Sequence, residues 1–514
     1  MVCTVLSATI DGLKVEFVRV EADVSNGLPM LHMVGYLSAE VKDAAERVRT
    51  AIANTGIHMP PKRIVVNLSP ATVKKRGASF DLPMAVAILA SMGYVEEEAL
   101  HNVLLIGELN LEGKVLKVPG ILPIVLESKA RGCQTCIIPC GNEPEGMAVK
   151  EIDIIGVSNL QEVLEYLMNP DAFRGKQTRK AERNIHADRS SHKLDFREVQ
   201  GQELLKRAAE VAVAGQHNML LIGTPGSSKT MIAKRIPSIL PPLTEEESIE
   251  ISKIYSIMGL LKEHQPMMKI RPFRQVHHTA TKTALVGGGA VPRPGEISLA
   301  HGGVLMMDEL AEYPRAVLES LRQPLEEHEI QIVRARGTYI FPAEFFLVAA
   351  MNPCPCGYYP DMEKCRCTQS EINHYLGKIS QPFLSRIDIC AEAPRVEYQD
   401  LKNKSKNESS EEIRNRVCMA RERQKARYAG CGFLTNSRIP ASEMERYCAL
   451  KPEAEQMMKL AYEKMNLTAR TYHKVLRVAR TIADLEGKEQ IEQIHLSEAL
   501  SYRMMSNKYW EREA

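Results

Sequence analysis

Apolar and polar residues alternate in short runs along the first third of the chain, and the period of the alternation changes from run to run. Residues 13–20 alternate between apolar and polar positions, as in a half-buried strand, and the short apolar run at 64–67 also predicts a strand. Residues 39–55 place apolar side chains at helical spacing instead, and a second helix is predicted at 82–92. The mixture predicts an α/β or α+β domain over residues 1–168.

Two further regions follow a segment dominated by positive charge. Residues 169–194 carry few apolar side chains, which predicts a linker, with contact to a phosphate backbone as the functional alternative. A strand at 219–222, a glycine-rich turn and a helix from Lys229 then begin an α/β domain over residues 195–395. Residues 396–514 show only helical patterns, which predicts an all-α domain. The basic residues of the linker are Arg174, Lys176, Arg179, Lys180, Arg183, Arg189 and Lys193.

Composition agrees with a folded chain of about three domains. The 514 residues are 44% hydrophobic, and 66 Lys plus Arg balance 64 Asp plus Glu to a net charge of +2. These values exclude a disordered chain and a whole-molecule polycation, so that any nucleic-acid contact has to be local. The first ten residues lack the features of a secretory signal, and no apolar stretch is long enough to span a bilayer. We therefore expect a cytoplasmic protein without a membrane partner.

A glycine-rich segment between the strand at 219–222 and the helix from Lys229 has the context of a phosphate-binding loop. Its backbone N–H groups can cradle phosphates, while Lys229 reaches the β- and γ-phosphates and Thr230 holds Mg²⁺. Ser228 stands where such loops usually have glycine, and the position can demand a positive φ. The predicted ATP-binding residues are Gly223, Thr224, Pro225, Gly226, Ser227, Ser228, Lys229 and Thr230.

Two later strands end in polar residues that suit ATP hydrolysis. The run 304–307 is followed by Asp308, which is placed to bind Mg²⁺, and by Glu309, which is placed to polarise the attacking water as a base. Residues 345–350 precede Asn352, whose amide is a candidate sensor of that water or of the γ-phosphate. Together with the phosphate loop, these residues predict an ATPase that uses ATP and Mg²⁺.

Four of the twelve cysteines lie in one short segment next to Asn352. They form two C-x-C pairs, and four thiolates at this spacing can enclose tetrahedral Zn²⁺. The alternative is four ordinary thiols in a reducing compartment. We expect a zinc site that braces the loop beside the ATP site, held by Cys354, Cys356, Cys365 and Cys367.

Several distinctive strings are distributed along the chain: SNGLP at 25–29, FDLP at 80–83, RPFR at 271–274, GGG at 287–289, PGEISLAH at 294–301 and ARTIADLEG at 479–487. Together they resemble the YifB/ComM family of magnesium-chelatase-like AAA+ ATPases, over nearly the whole chain. By this resemblance, Arg386 would be the arginine finger that reaches a neighbouring subunit's ATP, and Arg470 the sensor-2 arginine of a C-terminal helical lid. Ser385 replaces the Asp that related chelatase subunits carry before the finger.

The N-terminal domain resembles the proteolytic domain of Lon, an α+β fold similar to domain 2 of ribosomal protein S5. The resemblance is clearest at residues 107–120. Lon proteases use a Ser–Lys pair, and Ser79 falls near the place of the nucleophile. Leu122 stands where the catalytic Lys would follow, and an alkyl chain cannot accept a proton. We therefore expect no protease activity.

The family resemblance implies a hexameric ring that acts on branched or single-stranded DNA as a helicase or branch-migration factor in recombination or natural transformation. The residues themselves predict a motor and leave its substrate open. A protein-remodelling ATPase remains an alternative. A metal-chelatase subunit is a second one, which fits less well because such motors lack a Lon-like N-terminal domain.

Overall fold

A computed structural model describes residues 2–178, 194–262, 265–335, 337–394 and 407–510. The strands are β1 (Val2–Asp11), β2 (Lys14–Ser25), β3 (Met30–Gly35), β4 (Arg63–Ser69), β5 (Val103–Leu105), β6 (Glu108–Leu109), β7 (Val115–Leu116), β8 (Thr135–Pro139), β9 (Asp153–Val157), β10 (Met219–Gly223), β11 (Phe273–Val276), β12 (Gly287–Gly288), β13 (Arg293–Pro294), β14 (Val304–Met307), β15 (Glu329–Arg334), β16 (Gly337–Pro342), β17 (Phe346–Met351) and β18 (Ile389–Ala393).

The α-helices include several long ones near the C-terminus. They are α1 (Ala39–Lys42), α2 (Ala44–Asn54), α3 (Asp81–Ser91), α4 (Ile121–Ala130), α5 (Glu143–Gly146), α6 (Leu160–Met168), α7 (Pro170–Thr178), α8 (Glu203–Gly215), α9 (Lys229–Ala233), α10 (Glu245–Ile257), α11 (Lys282–Val286), α12 (Glu296–Leu299), α13 (Arg315–Ser320), α14 (Pro324–Glu327), α15 (Gln369–Gly377), α16 (Gln381–Leu384), α17 (Ser410–Arg427), α18 (Met444–Tyr447), α19 (Pro452–Lys464), α20 (Ala469–Glu486) and α21 (Gln493–Trp510).

The chain forms two compact units, Met1–Ser190 with Thr244–Lys269, and Ser191–Leu243 with Ile270–Ala514. The sequence-predicted helical domain therefore shares one compact unit with most of the predicted ATPase core. Helix α7 occupies the start of the predicted basic linker, and Arg174 there pairs with Asp153 of β9. The linker residues Arg179, Lys180, Arg183, Arg189 and Lys193 lie outside the described residues.

The first unit is built on a mixed seven-stranded sheet in the order β3-β4-β2-β1-β5-β8-β9. Helix α3 is apolar on all sides, and nearly all of its residues are buried in the core of this unit. Helix α10, which comes from the middle of the sequence, packs on α4. Gly120 N donates to Ser256 O at 2.9 Å, so that this excursion of the chain is fixed by backbone as well as side-chain contacts.

The second unit is built on a five-stranded parallel sheet in the order β11-β14-β17-β10-β18. Continuous apolar runs such as β10 and β17 are fully buried, as expected for strands of a parallel sheet. Helices α8, α17 and α20 contribute to the same buried core. The mixed α/β fold with a parallel sheet and a helical C-terminal region is thus confirmed. Among the described residues, no helix has the length and apolarity to cross a bilayer.

Candidate nucleotide and metal sites

Three adjacent parallel strands bring the predicted ATPase residues to one edge of the sheet. Strand β17 lies between β10 and β14, with Ile222 opposite Met351 and Met307 opposite Ala349. The phosphate loop follows β10, Asp308 follows β14 and Asn352 follows β17. Because the carboxyl ends of parallel strands meet at one edge, side chains far apart in sequence come together here, as is usual for ligand sites in such sheets.

The phosphate loop, residues 223–230, turns sharply into helix α9. Gly226 has φ +77° and Ser228 has φ 63° and ψ 12°, both in the left-handed region. For a residue with a Cβ, this conformation costs about 1–2 kcal/mol. The awkward φ expected at Ser228 is therefore present, and the loop holds a strained residue directly before Lys229.

Replacing Ser228 with Gly is expected to raise the free energy of unfolding of the second unit by roughly 0.5–1 kcal/mol. The left-handed strain disappears, and the greater entropy of glycine in the unfolded chain offsets part of the gain. Urea denaturation followed by circular dichroism measures the change. Gln216→Gly at another left-handed position of the unit, φ 57°, is the matched control and should behave similarly. A destabilised Ser228→Gly protein would contradict the strain argument.

Lys229 is the first residue of helix α9 and is only 8% exposed. Its ammonium group donates to the carbonyl oxygens of Gly223 at 2.8 Å and Thr224 at 2.9 Å. It also donates to Asn352 Oδ1 at 3.3 Å, which places the predicted sensor next to the predicted phosphate ligand. Burial lowers the pKa of Lys229 to about 8, although the charge of Asp308 opposes the shift.

Thr230 and Asp308 form a pair of oxygen donors beside Lys229. The Thr230 hydroxyl donates to Asp308 Oδ2 at 2.7 Å. Hydroxyl and carboxylate oxygens suit Mg²⁺, which in such sites is completed by water and nucleotide phosphates. The residues present therefore fit the ion.

Glu309 follows Asp308 in a left-handed conformation, φ 53°, and its side chain is 60% exposed. Its backbone N–H donates to Asp308 Oδ1 at 3.0 Å, which ties the two acids to one turn. Nδ1 of His278 lies 3.4 Å from Glu309 Oε2, and the ring of His278 stacks with that of His277 at 4.2 Å. The pair His277–His278 is visible in the sequence, but no sequence signal connects it with Glu309.

Arg386 and Arg470 lie near each other, at a cavity that the phosphate loop does not line. Both guanidinium groups bind Glu326, Arg386 through Oε2 and Arg470 through Oε1. They also line a common cavity of about 870 Å³ whose lining does not include residues 223–230. Within one chain, the structure therefore separates the two arginines from Lys229, while it brings Lys229, Thr230, Asp308 and Asn352 together.

The four clustered cysteines converge although no disulfide joins them. The sulfur atoms of Cys354, Cys356, Cys365 and Cys367 all lie within 4.8 Å of one another. The amides of Gly357 and Tyr359 donate to Cys354 Sγ at 3.2 and 3.4 Å, so that the backbone of this loop orients the sulfur.

Further backbone amides reach a second sulfur of the cluster. Burial raises the pKa of Cys356, but hydrogen bonds from the backbone of Tyr358 and Arg366 outweigh it and lower the pKa to about 6. Four sulfur donors at this separation fit a tetrahedral zinc ion. The cluster also touches the nucleotide site, because a Cβ added to Gly357, φ +84°, would overlap the ring of Pro225 in the phosphate loop.

In the first unit, the position expected for a catalytic lysine of a Lon protease is filled by an apolar side chain. Leu122 is 1% exposed, and its backbone N–H donates to Glu145 Oε1 at 2.9 Å. Ser256 of helix α10 also binds Glu145. Ser79 is tied through its carbonyl oxygen to Gly107 N at 3.0 Å. Residue 122 therefore cannot act as the base that a Ser–Lys pair requires.

The matches of the chain to known families define its class, the magnesium-chelatase-like AAA+ ATPases. Three family descriptions match the chain: "Magnesium chelatase, subunit ChlI" at residues 195–401, "Subunit ChlI of Mg-chelatase" at 20–142 and "Magnesium chelatase, subunit ChlI C-terminal" at 407–503. The chain belongs, more narrowly, to the YifB/ComM family within this class.

Relatives of this family match along almost the whole chain. The chain is 41% identical to the uncharacterized protein YifB of Salmonella typhimurium, covering 96% of this chain and 95% of the relative. It is 40% identical to competence protein ComM of Haemophilus influenzae, covering 96% of both. The Lon protease of Roseiflexus castenholzii is 29% identical over 33% of this chain and 22% of its own length. Membership of an AAA+ family favours ATP hydrolysis and use of Mg²⁺.

Proposed function

We propose that this protein is an ATP-driven motor that remodels branched or single-stranded DNA in the cytoplasm. The observation that carries the proposal is the meeting of Lys229, the Thr230–Asp308 pair and Asn352 at one sheet edge, with Glu309 in the adjoining turn. DNA as the substrate is supported by the 40% identity to a competence protein over 96% of the chain.

In the proposed reaction, Lys229 binds the β- and γ-phosphates and Asn352 orients the γ-phosphate or the attacking water. Thr230 and Asp308 would hold Mg²⁺, which would supply positive charge beside the phosphates. Glu309 accepts a proton from water while the water oxygen bonds to the γ-phosphorus. The bond between that phosphorus and the β–γ bridging oxygen breaks, and ADP leaves with the electron pair. Residues 223–228 position the nucleotide through backbone N–H groups.

The proposed active form is a homo-oligomeric ring, with a hexamer as the expected size. Within one chain Arg386 and Arg470 lie at a cavity that the phosphate loop does not line. A ring would let both arginines stabilise charge on the ATP of a neighbouring subunit. Arg386 is then the finger, and Arg470 is the sensor-2 residue of the helical C-terminal region.

The test is the ATPase rate with branched DNA, single-stranded DNA, unfolded protein or porphyrin added in turn. We expect stimulation by DNA, with DNA binding that weakens as salt rises. Absence of DNA binding at low salt would refute the DNA substrate.

A protein-remodelling ATPase is the second candidate, favoured by the similarity of the first unit to Lon protease, and it predicts stimulation by unfolded protein alone. Stimulation by porphyrin alone would favour a chelatase subunit.

The first unit is proposed to be a structural or DNA-contacting module without protease activity. The support is Leu122, whose buried alkyl side chain cannot accept a proton from Ser79. Its backbone N–H donates to Glu145 Oε1, so that Glu145 serves as a hydrogen-bond acceptor for the start of helix α4.

The cysteine cluster is proposed to bind Zn²⁺ and to brace the phosphate loop through the contact of Gly357 with Pro225. Metal analysis of the purified chain should find about one equivalent of zinc. Cys365→Ser should lose the zinc and lower the midpoint of thermal unfolding of the second unit, because metal-binding energy is folding energy. Cys418→Ser, on helix α17, is the matched control. Zinc-free protein with unchanged stability after chelation would refute the site.

A further inference from the structure

Arg386, the candidate finger, is buried and hydrogen-bonded within its own chain. Its side chain is only 8% exposed. Its Nε donates to Arg322 O at 3.0 Å, and its two terminal nitrogens donate to Pro382 O and to Glu326. All three nitrogen atoms of this guanidinium therefore have partners within the chain, and to reach a second molecule the group has to exchange some of these bonds.

Glu326 joins this arginine to the second candidate. It lies in the short helix α14, and its carboxylate accepts from Arg386 on one oxygen and from Arg470 on the other. Burial raises the pKa of Glu326, but the hydrogen bonds and charges of Arg386 and Arg470 outweigh it and lower the pKa. The carboxylate is thus a permanent anion around neutral pH, placed between two cations that come from segments 84 residues apart.

The surroundings of this contact are rich in further cations, most of which have carboxylates of their own. The cavity that Arg386 and Arg470 line is bordered by other paired cations: Lys474 with Asp388 at 2.7 Å, Arg438 with Glu344 at 3.2 Å and Arg446 with Glu443 at 3.6 Å. Glu326 is shared by two guanidinium groups, so its contact leaves a surplus of positive charge. Such a site favours an anion of higher charge, such as a terminal phosphate.

We infer that Glu326 is a positioning residue that binds Arg386 and Arg470 where a phosphate would bind them, and that it holds both arginines on their own chain until a nucleotide-loaded neighbour displaces it. The carboxylate offers each arginine one oxygen, whereas a phosphate offers three acceptor oxygens and more charge. Assembly of the ring therefore exchanges the internal anion for the phosphate of the adjoining subunit. This inference rests on the ring and the arginine roles given under the proposed function.

The half-buried Asp388–Lys474 pair explains how the two arginines stay together during this exchange. Asp388 lies two residues after Arg386, and Lys474 lies one helical turn after Arg470. Their ion pair measures 2.7 Å, and Lys474 Nζ also donates to Ile387 O at 3.1 Å. The loop with Arg386 and helix α20 with Arg470 are thus joined to each other independently of Glu326. The two arginines therefore stay adjacent when the carboxylate is displaced, while Arg386 keeps its bonds to Arg322 O and Pro382 O.

The test is nucleotide-driven assembly of the full chain, measured by sedimentation velocity across protein concentrations with the slowly hydrolysed analogue ATPγS. Glu326→Gln keeps the shape of the side chain and removes its charge, and should lower the concentration for half-assembly by about tenfold. Glu326→Asp should give a smaller shift. Glu327→Gln, which removes the neighbouring charge, is the matched control and should leave assembly unchanged.

The double variant Glu326→Gln with Arg386→Ala should lose the gain in assembly, which a merely structural role of Glu326 would not predict. Half-assembly at an unchanged or higher concentration in Glu326→Gln would overturn the inference, as would failure of both wild type and variant to assemble. If Glu326→Gln does not fold, the Glu326→Asp shift decides in the same way. ATP hydrolysis is measured separately, so a chain that assembles without hydrolysing ATP refutes the proposed function and not this exchange.

Discussion

Glu309→Gln is expected to lower the ATP turnover rate by at least about 100-fold while ATP still binds. Glu309 follows Asp308 at the end of β14. Its side chain is 60% exposed and takes no part in the hydrogen bonds of Lys229 and Thr230. An amide of the same shape cannot take the proton of the attacking water. In the proposed site the affinity for ATP depends on Lys229 and the backbone of residues 223–228, so it should change little. Nucleotide-bound rings should therefore accumulate.

The measurement is steady-state turnover together with ATP affinity by calorimetry. Glu312→Gln is the matched control, because this exposed acid lies three residues further along the same turn. It should retain the wild-type rate. Wild-type turnover in Glu309→Gln would mean that another group is the base, and His278, whose Nδ1 lies 3.4 Å from Glu309 Oε2, would be the next residue to replace.

Lys229→Met is expected to weaken ATP binding by about 10- to 100-fold, which corresponds to the loss of charge-assisted hydrogen bonds to phosphate. Methionine keeps the length of the buried side chain but can neither donate nor carry charge. The exposed Lys234, just past the end of helix α9, supplies the control Lys234→Met, which should bind ATP normally. Unchanged ATP affinity in Lys229→Met would remove the phosphate role of Lys229.

The pH dependence of ATP binding gives this prediction a signature. Because burial lowers the pKa of Lys229 to about 8, the lysine is charged below pH 8 and loses its charge above it. ATP affinity in the wild type should therefore fall from pH 8 to 9, and this fall should be absent in Lys229→Met. For the nucleotide-free fold the sign is opposite: the charged, desolvated lysine costs stability below pH 8, and that cost fades as the pH rises towards the ordinary pKa.

Local patterns predicted the elements that carry the ATP site. The apolar run before Gly223, the acids after residue 307 and Asn352 after a third run could be assigned because parallel strands are continuous apolar segments that end at one edge. The ends of helix α20 are also marked in the sequence, because Thr468 caps its start and Gly487, φ +76°, ends it. The strained φ at Ser228 was predictable from the missing glycine.

Contacts between distant segments could not be predicted in the same way. Helix α10 has an ordinary capped helix sequence, and nothing in it indicates that Ser256 binds Glu145 of the first unit. Glu326 lies in an unremarkable acidic turn, yet it binds arginines 60 and 144 residues away. Such pairings depend on the packing of whole segments, which the period of apolar residues does not encode.

The most direct test of an ATP-driven DNA motor is a branch-migration assay with a four-way DNA junction, Mg²⁺ and ATP. The wild-type chain is predicted to convert the junction to separated products only when ATP is present, and Lys229→Met and Glu309→Gln are predicted to leave the junction intact. A wild-type chain that hydrolyses ATP and binds the junction but releases no products would contradict the proposed DNA remodelling.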